Sequence, residues 1–251
     1  MLNYKLKIGL LPVRRYIKEP PKRIGIFQSD YAVENKNKAI SYIKQNFTDE
    51  LTEFVDIEFL NEEGLLYKDS ECDKVIEYFK EQRINALFII NCNFGNENAA
   101  GTVAKALKLP TLLWGPRDRN FSNGIRYTDT QCGLFAISKQ LKRYNVKFSY
   151  IENCDIEDKA FKEGVERFLS VATMVNNFYN LNIIQVGARV NPFKSVMCNE
   201  LELCERFGIG VIPVNLAQLN IEVNAILKEK ENILLEEAAE FKKTWDLGGT
   251  D

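Results

Sequence analysis

Seven short apolar runs, several of them continuously apolar and β-branched, recur along this chain, and segments with helix-like spacing of apolar residues fill the intervals. No other feature limits the fold as strongly. The run at 86–91, ALFIIN, carries no polar side chain before its last residue, and TLLW at 111–114 is nearly as apolar. A strand that alternates can leave one face in water, whereas an unbroken apolar strand needs cover on both faces. Strands are predicted at 6–11, 55–60, 86–91, 111–114, 148–151, 182–186 and 210–214. Helices are predicted at 30–46, 71–82, 97–107, 129–142, 156–180 and 192–207. Ser70 with Asp73 and Thr128 with Gln131 have capping-box spacing, Asp155 can cap the helix after it, and Gly208 can end a helix. Strand–helix alternation of this kind predicts an α/β fold with a doubly wound, mostly parallel sheet and right-handed crossovers.

The first five strands with their helices make a unit of ordinary domain size, expected over 1–155, with a connecting helix at 156–180. Residues 181–251 hold only two strands and a helical tail whose apolar positions include Ile226, Ile233, Leu234, Ala238, Phe241 and Trp245. Two strands are too few to cover such helices. Either this stretch adds to the first sheet or it opens a second α/β domain, and the latter is the reading taken here.

A net charge of -2 gives no electrostatic footprint for nucleic acid or an anionic membrane. The N-terminal apolar run 8–13 is too short for a signal-sequence core or a membrane span, so a cytoplasmic protein is expected. The six cysteines include no CxxC pair and are expected to be reduced. There is no histidine, which removes the commonest general acid–base and the commonest imidazole metal ligand. Neither GxGxxG after the first strand nor GxxxxGK[ST] anywhere supports a nucleotide site. Glu62 with Glu63, and Glu236, Glu237 and Glu240, read as solvated faces.

In an open parallel sheet, ligands bind where loops leave the carboxyl ends of the strands. Arg14 and Arg15 come after the first strand, and Asn93, Phe94, Gly95, Asn96 and Glu97 after the third. The fourth strand leads into GPRDRNFSNGIRYTD, with Arg117, Asp118, Arg119 and Arg126, a connection longer than most in such folds. Arg117 can fork onto a hydroxyl or carboxylate, and Trp114 can offer a flat face to a sugar ring. Equally, Arg117 can pair with a neighbouring acid, Trp114 can lie in the core, and Asn96 can simply cap a helix.

Taken in order, KIGLLPVRR (7–15), NCNFGNENAAGTVAKALKLPTLLWGPRDR (91–119), YTDTQCGLFAISKQLKR (127–143) and VGARVNPFKSVMCNELELCERFGIGVIPVNLAQL (186–219) resemble the N-terminal part of the L-fucose isomerase/L-arabinose isomerase superfamily, especially its L-fucose isomerase-like branch. The resemblance implies a Rossmann-like or flavodoxin-like first domain, then a second α/β domain and a C-terminal barrel-like domain in a longer polypeptide. It implies aldose–ketose isomerisation with a divalent cation, usually Mn²⁺, whose ligands lie late in the second domain and in the third. This chain is then expected to be the N-terminal portion of such an enzyme, with no catalytic residue, metal ligand or cofactor of its own. It also implies a homo-oligomer in which the first domain completes a neighbouring subunit's sugar pocket. The substrate-contacting positions so implied are Arg14 or Arg15, Asn93, Phe94 and Glu97, and Trp114, Arg117 and Asp118 should line the same edge. Two other readings stand beside it: a free-standing sugar- or metabolite-binding α/β module, and an enzyme that uses Asp118, Glu97 or Lys194 directly.

Overall fold

Five strands pair side by side, all parallel, between residues 6 and 150. The computed structural model describes residues 5–17, 29–118, 127–179 and 181–244. It divides into two compact units, Met1–Asn177 and Phe178–Asp251. In the first unit β1 (Leu6–Val13), β2 (Thr52–Val55), β3 (Ala86–Asn91), β4 (Thr111–Trp114) and β5 (Phe148–Tyr150) form one sheet in the order β2-β1-β3-β4-β5. The helices between them are α1 (Ser29–Phe47), α2 (Cys72–Glu81), α3 (Glu97–Leu107) and α4 (Thr130–Arg143), and α5 (Lys159–Phe178) comes after β5. The doubly wound α/β expectation is met.

Side-chain alternation along the strands explains the two covered faces. Leu10, Phe88, Ile90, Leu112 and Trp114 pack with Ala32, Ala39 and Ile43 of α1 and with Phe161, Val165 and Phe168 of α5. Leu11, Val13, Leu87, Ile89 and Leu113 pack with residues of α2, α3 and α4. All six residues of β3 are therefore buried, as its unbroken apolar run requires.

The strand expected at 55–60 forms earlier, at Thr52–Val55. Local side-chain bonds explain the shift. Asp56 Oδ1 accepts from the Glu58 N–H at 3.2 Å, and Asn61 Oδ1 accepts from the Glu63 N–H at 3.1 Å. These bonds turn the backbone away from the ladder. The capping assignments also move. At α2 it is Glu71 that accepts from the Lys68 N–H, at 3.3 Å, ahead of a helix beginning at Cys72. Residues 156–158 form a turn before α5, in which Asp158 Oδ2 accepts from the Asp155 N–H at 3.0 Å.

Among its described residues the second unit has two parallel strands, β6 (Asn182–Val186) and β7 (Gly210–Val214), and three α-helices: α6 (Glu200–Phe207), α7 (Leu216–Glu229) and α8 (Glu231–Thr244). The helix expected over 192–207 is confined to its second half. Asn199 accepts from the Glu202 N–H at 3.2 Å and so starts α6 there, leaving Cys198 outside it. Gly208, at φ 67°, ends α6 in the left-handed conformation that glycine tolerates. Every residue of β6 is exposed. Among the described residues, no helix is long and apolar enough to cross a membrane.

Candidate functional site

The register of the sheet decides which loops meet. Val13, the last residue of β1, pairs with Asn91, the last of β3, and Trp114 at the end of β4 pairs with Ile90. The loops starting at Arg14, Cys92 and Gly115 therefore leave from one edge. In the order β2-β1-β3-β4-β5 the chain departs from β1 toward β2 and from β3 toward β4, which opens a crevice between β1 and β3.

Arg15, Asn93, Phe94 and Glu97 meet there. The Arg15 backbone N–H donates to Asn93 Oδ1 at 2.8 Å, and its Nη2 donates to Glu97 Oε2 at 2.5 Å. The same guanidinium lies 4.6 Å from the centre of the Phe94 ring. Asn93 Oδ1 also accepts from the Gly95 N–H at 3.1 Å, so its oxygen serves two backbone donors. Its Nδ2 is buried and has no hydrogen-bond partner among the described residues. Gly95, at φ 76°, makes the tight turn after this residue. Asn96 then caps α3, accepting from the Asn98 and Ala99 N–H groups, both at 3.1 Å. The capping alternative for Asn96 is thus the one observed.

Arg14 points elsewhere. Its Nε and Nη2 donate to the Glu63 carboxylate at 2.5 and 2.8 Å, and it stacks over Tyr67 at 3.9 Å. Tyr67 in turn stacks on Tyr16, with ring centres 5.4 Å apart. Arg14 is buried, so this bidentate pair clamps the loop before α2 onto the end of β1. Glu63 is consequently no solvated carboxylate. Nothing in the motif Asn61-Glu62-Glu63-Gly64 distinguishes it from Glu62. The parallel bridge between Val13 and Leu66 brings it beside Arg14.

The residues after β4 do not join this group. Trp114 is 1% exposed, and its ring meets Phe161 edge-on at 4.5 Å. Its flat face is spent on the core and is not offered at the edge. Arg117 is exposed and pairs with Asp158 at 2.8 Å and Asp155 at 3.3 Å. The hydrogen bond from Arg117 holds the Asp158 carboxyl below its ordinary range. Asp118 serves α4: its Oδ1 accepts from the Thr128 hydroxyl (2.7 Å), the Thr130 N–H (2.6 Å) and the Thr130 hydroxyl (2.8 Å). Its Oδ2 accepts from the Gln131 N–H at 3.2 Å. A carboxylate from a neighbouring loop thereby supplies the cap that Thr128 was expected to provide. Arg119 and Arg126 lie outside the described residues.

Below the crevice Asn91 ties three pieces together. Its Nδ2 donates to the Thr130 carbonyl at 2.9 Å, and a Cβ on Gly133 would overlap both this amide and the Phe94 carbonyl. Asn153, unremarked in the sequence, donates to the Gly115 and Pro116 carbonyls at 3.0 and 2.7 Å and holds the β4 loop down.

Glu97 and Asp118 are both engaged, and Lys194 lies in the other unit. Burial pushes the Cys72 thiol up to about 11, with Asp69, Asp73 and Glu71 adding to it, and burial raises Cys92 and Cys154 as well. None of these three is a ready nucleophile. Among the described residues no group of three or more Asp, Glu or Cys side chains is placed to hold a metal ion. Among the described residues, then, no donor set fits the divalent cation that the family resemblance implies.

Comparison with known proteins bears on the same region. Residues 21–179 match the family described as fucose/sulfoquinovose isomerase, N-terminal domain. No curated protein matches. Among solved structures, the crystal structure of azoreductase AzrA aligns at 10% identity over 67% of this chain and 99% of that one. Its TM-score is 0.28, too low to carry an argument.

Proposed function

The chain belongs to the fucose/sulfoquinovose isomerase family through the N-terminal domain of that family, and from this premise we propose that its β1/β3 edge is a wall of a sugar pocket. Arg15, Asn93, Phe94 and Glu97 contact the sugar. The Arg15 fork and the amide of Asn93 bond hydroxyl groups, and Phe94 packs on the apolar side of the ring. Arg14 holds the wall in place through Glu63. Arg117 and Asp118 shape the adjoining loop, with Asp118 fixing it to α4, and Trp114 supports it from the core.

In this reading the reaction is an aldose–ketose isomerisation. A divalent cation, Mn²⁺ by the family resemblance, would be held by residues other than those of this edge and would supply Lewis-acid chemistry when bound. This chain contributes binding and enclosure in a cytoplasmic homo-oligomer and carries out no proton transfer. The observation that supports the reading is the meeting of Arg15, Asn93, Phe94 and Glu97 at the switch point of the sheet, within a domain matched to this family. Incubating the full chain with Mn²⁺ and L-fucose or L-arabinose tests it: sugar should bind without turnover. Clear turnover would contradict the proposal.

A further inference from the structure

We propose that Tyr16 is a further sugar-contacting residue of this wall, and that its ring stacks on the C–H face of a pyranose. The inference rests on the sugar-wall reading and adds the residue that tells the two faces of the sugar apart. Tyr16 follows Arg15 directly in the loop leaving β1, so it stands at the edge where Arg15, Asn93, Phe94 and Glu97 meet. It is 43% exposed, and a large aromatic residue left open to water at a ligand-binding edge is available for contact. Phe94, part-buried beside the Arg15 guanidinium, exposes less of itself than Tyr16 does.

A chain of contacts fixes this ring. It stacks on Tyr67, with centres 5.4 Å apart and planes 18° apart. Tyr67 lies in turn against the Arg14 guanidinium at 3.9 Å, and both oxygens of Glu63 hold Arg14. The Tyr67 carbonyl accepts from Asn96 Nδ2 at 3.1 Å, which ties the stack to the start of α3. Arg14 Nη1 donates to the Arg15 carbonyl at 3.0 Å and so holds the peptide that leads into Tyr16. The stack uses one face of the Tyr16 ring and leaves the other for a ligand. A pyranose whose hydroxyls lean to one side gathers its ring hydrogens on the opposite side, and that apolar face packs flat on an aromatic ring. Because the platform is ordered beforehand, binding freezes little further side-chain motion. Lys68 stands beside it, its ammonium 5.8 Å from the Tyr16 ring centre, and can donate to hydroxyls at the rim of the sugar.

Proton NMR of L-fucose titrated with the full chain tests the inference. An aromatic ring stacked on a sugar moves the C–H protons beneath it upfield, which a purely structural role for Tyr16 does not do. The unaltered chain should shift the ring protons of one sugar face. In Tyr16→Ser those shifts should vanish and affinity should fall about threefold to tenfold. In Tyr16→Phe, which keeps the ring and the stack, affinity should stay within about twofold. Shifts and affinity that survive in Tyr16→Ser would overturn the inference while leaving the sugar-wall reading intact, since the sugar still binds. A loss as large in Tyr16→Phe would also overturn it, by assigning the contact to the hydroxyl and not to the ring face. No binding of L-fucose by the unaltered chain would overturn both.

Discussion

Strands β3 and β6 start from nearly the same local information and end in opposite surroundings. Each is a run of five or six residues with consecutive isoleucines, and each pairs in parallel with a neighbour. Every residue of β3 is buried and every residue of β6 is exposed. Capping does not separate the two units: Asn96 starts α3 in the first, and Asn199 and Asn215 start α6 and α7 in the second. The difference lies in layers. Among the described residues, the first unit has five strands with helices on both faces, whereas the second has two strands for three α-helices. Secondary structure arises from nearby residues, but a dry core needs enough sheet to carry helices on each side.

The sharpest way to break this contrast is to empty one position in each strand. Phe88→Ala should cost about 3–5 kcal/mol, while Ile184→Ala, 64% exposed in the native chain, should cost less than about 0.5 kcal/mol. Urea unfolding followed by Trp114 fluorescence in a Trp245→Phe background reads the first. Loss of β6 amide protection against hydrogen exchange reads the second. Equal costs would end the comparison.

Thiol labelling probes the same division without altering the fold. Cys198 and Cys204 in the second unit, and Cys132 on the surface of α4, are exposed, whereas Cys72, Cys92 and Cys154 are buried. Iodoacetamide at neutral pH should modify the first three about a hundredfold faster or more, as expected from burial and depressed thiolate content together. Rapid labelling of Cys92 would mean that the first unit opens far more readily than its packing indicates.

Smaller effects sharpen the account within the first unit. Asp118→Ala removes a carboxylate that accepts four hydrogen bonds at the start of α4 and should cost about 1–3 kcal/mol in denaturant unfolding. A neutral result would make the β4 loop independent of α4. The least effect is expected at Asp158. Its carboxyl is held low by Arg117, so the stabilisation it gives is present above the ordinary carboxylate range and is lost as pH falls through its own lower value. Because the pair is exposed, Arg117→Gln should leave neutral-pH stability nearly unchanged and flatten only the acid limb of the stability curve.

The strands at 86–91, 111–114, 182–186 and 210–214 were legible because apolar runs between turn residues need no tertiary information. The strand near 55 was misplaced because Val55, Ile57 and Phe59 alternate like a strand, while the Asp56 and Asn61 side chains, capturing nearby backbone, end it. The edge was only half legible. Arg15, Asn93, Phe94 and Glu97 stand within six residues of the carboxyl ends of β1 and β3, where an open parallel sheet places its ligands. Glu63 and Asn153 carry no such mark, since each is brought to its partner by topology over 49 and 37 or more residues of chain. Trp114 shows the converse: an aromatic residue at the end of a strand looks available for a ligand until the facing helix places Phe161 against it.

The central claim is that the crevice between β1 and β3 receives a sugar. Monitoring backbone amide resonances of the full chain as L-fucose is added tests it most directly. The account expects shifts at Arg15, Asn93, Phe94, Gly95 and Glu97, with the amides of β6 and β7 unmoved. Shifts confined to the second unit, or none at saturating sugar, would contradict it.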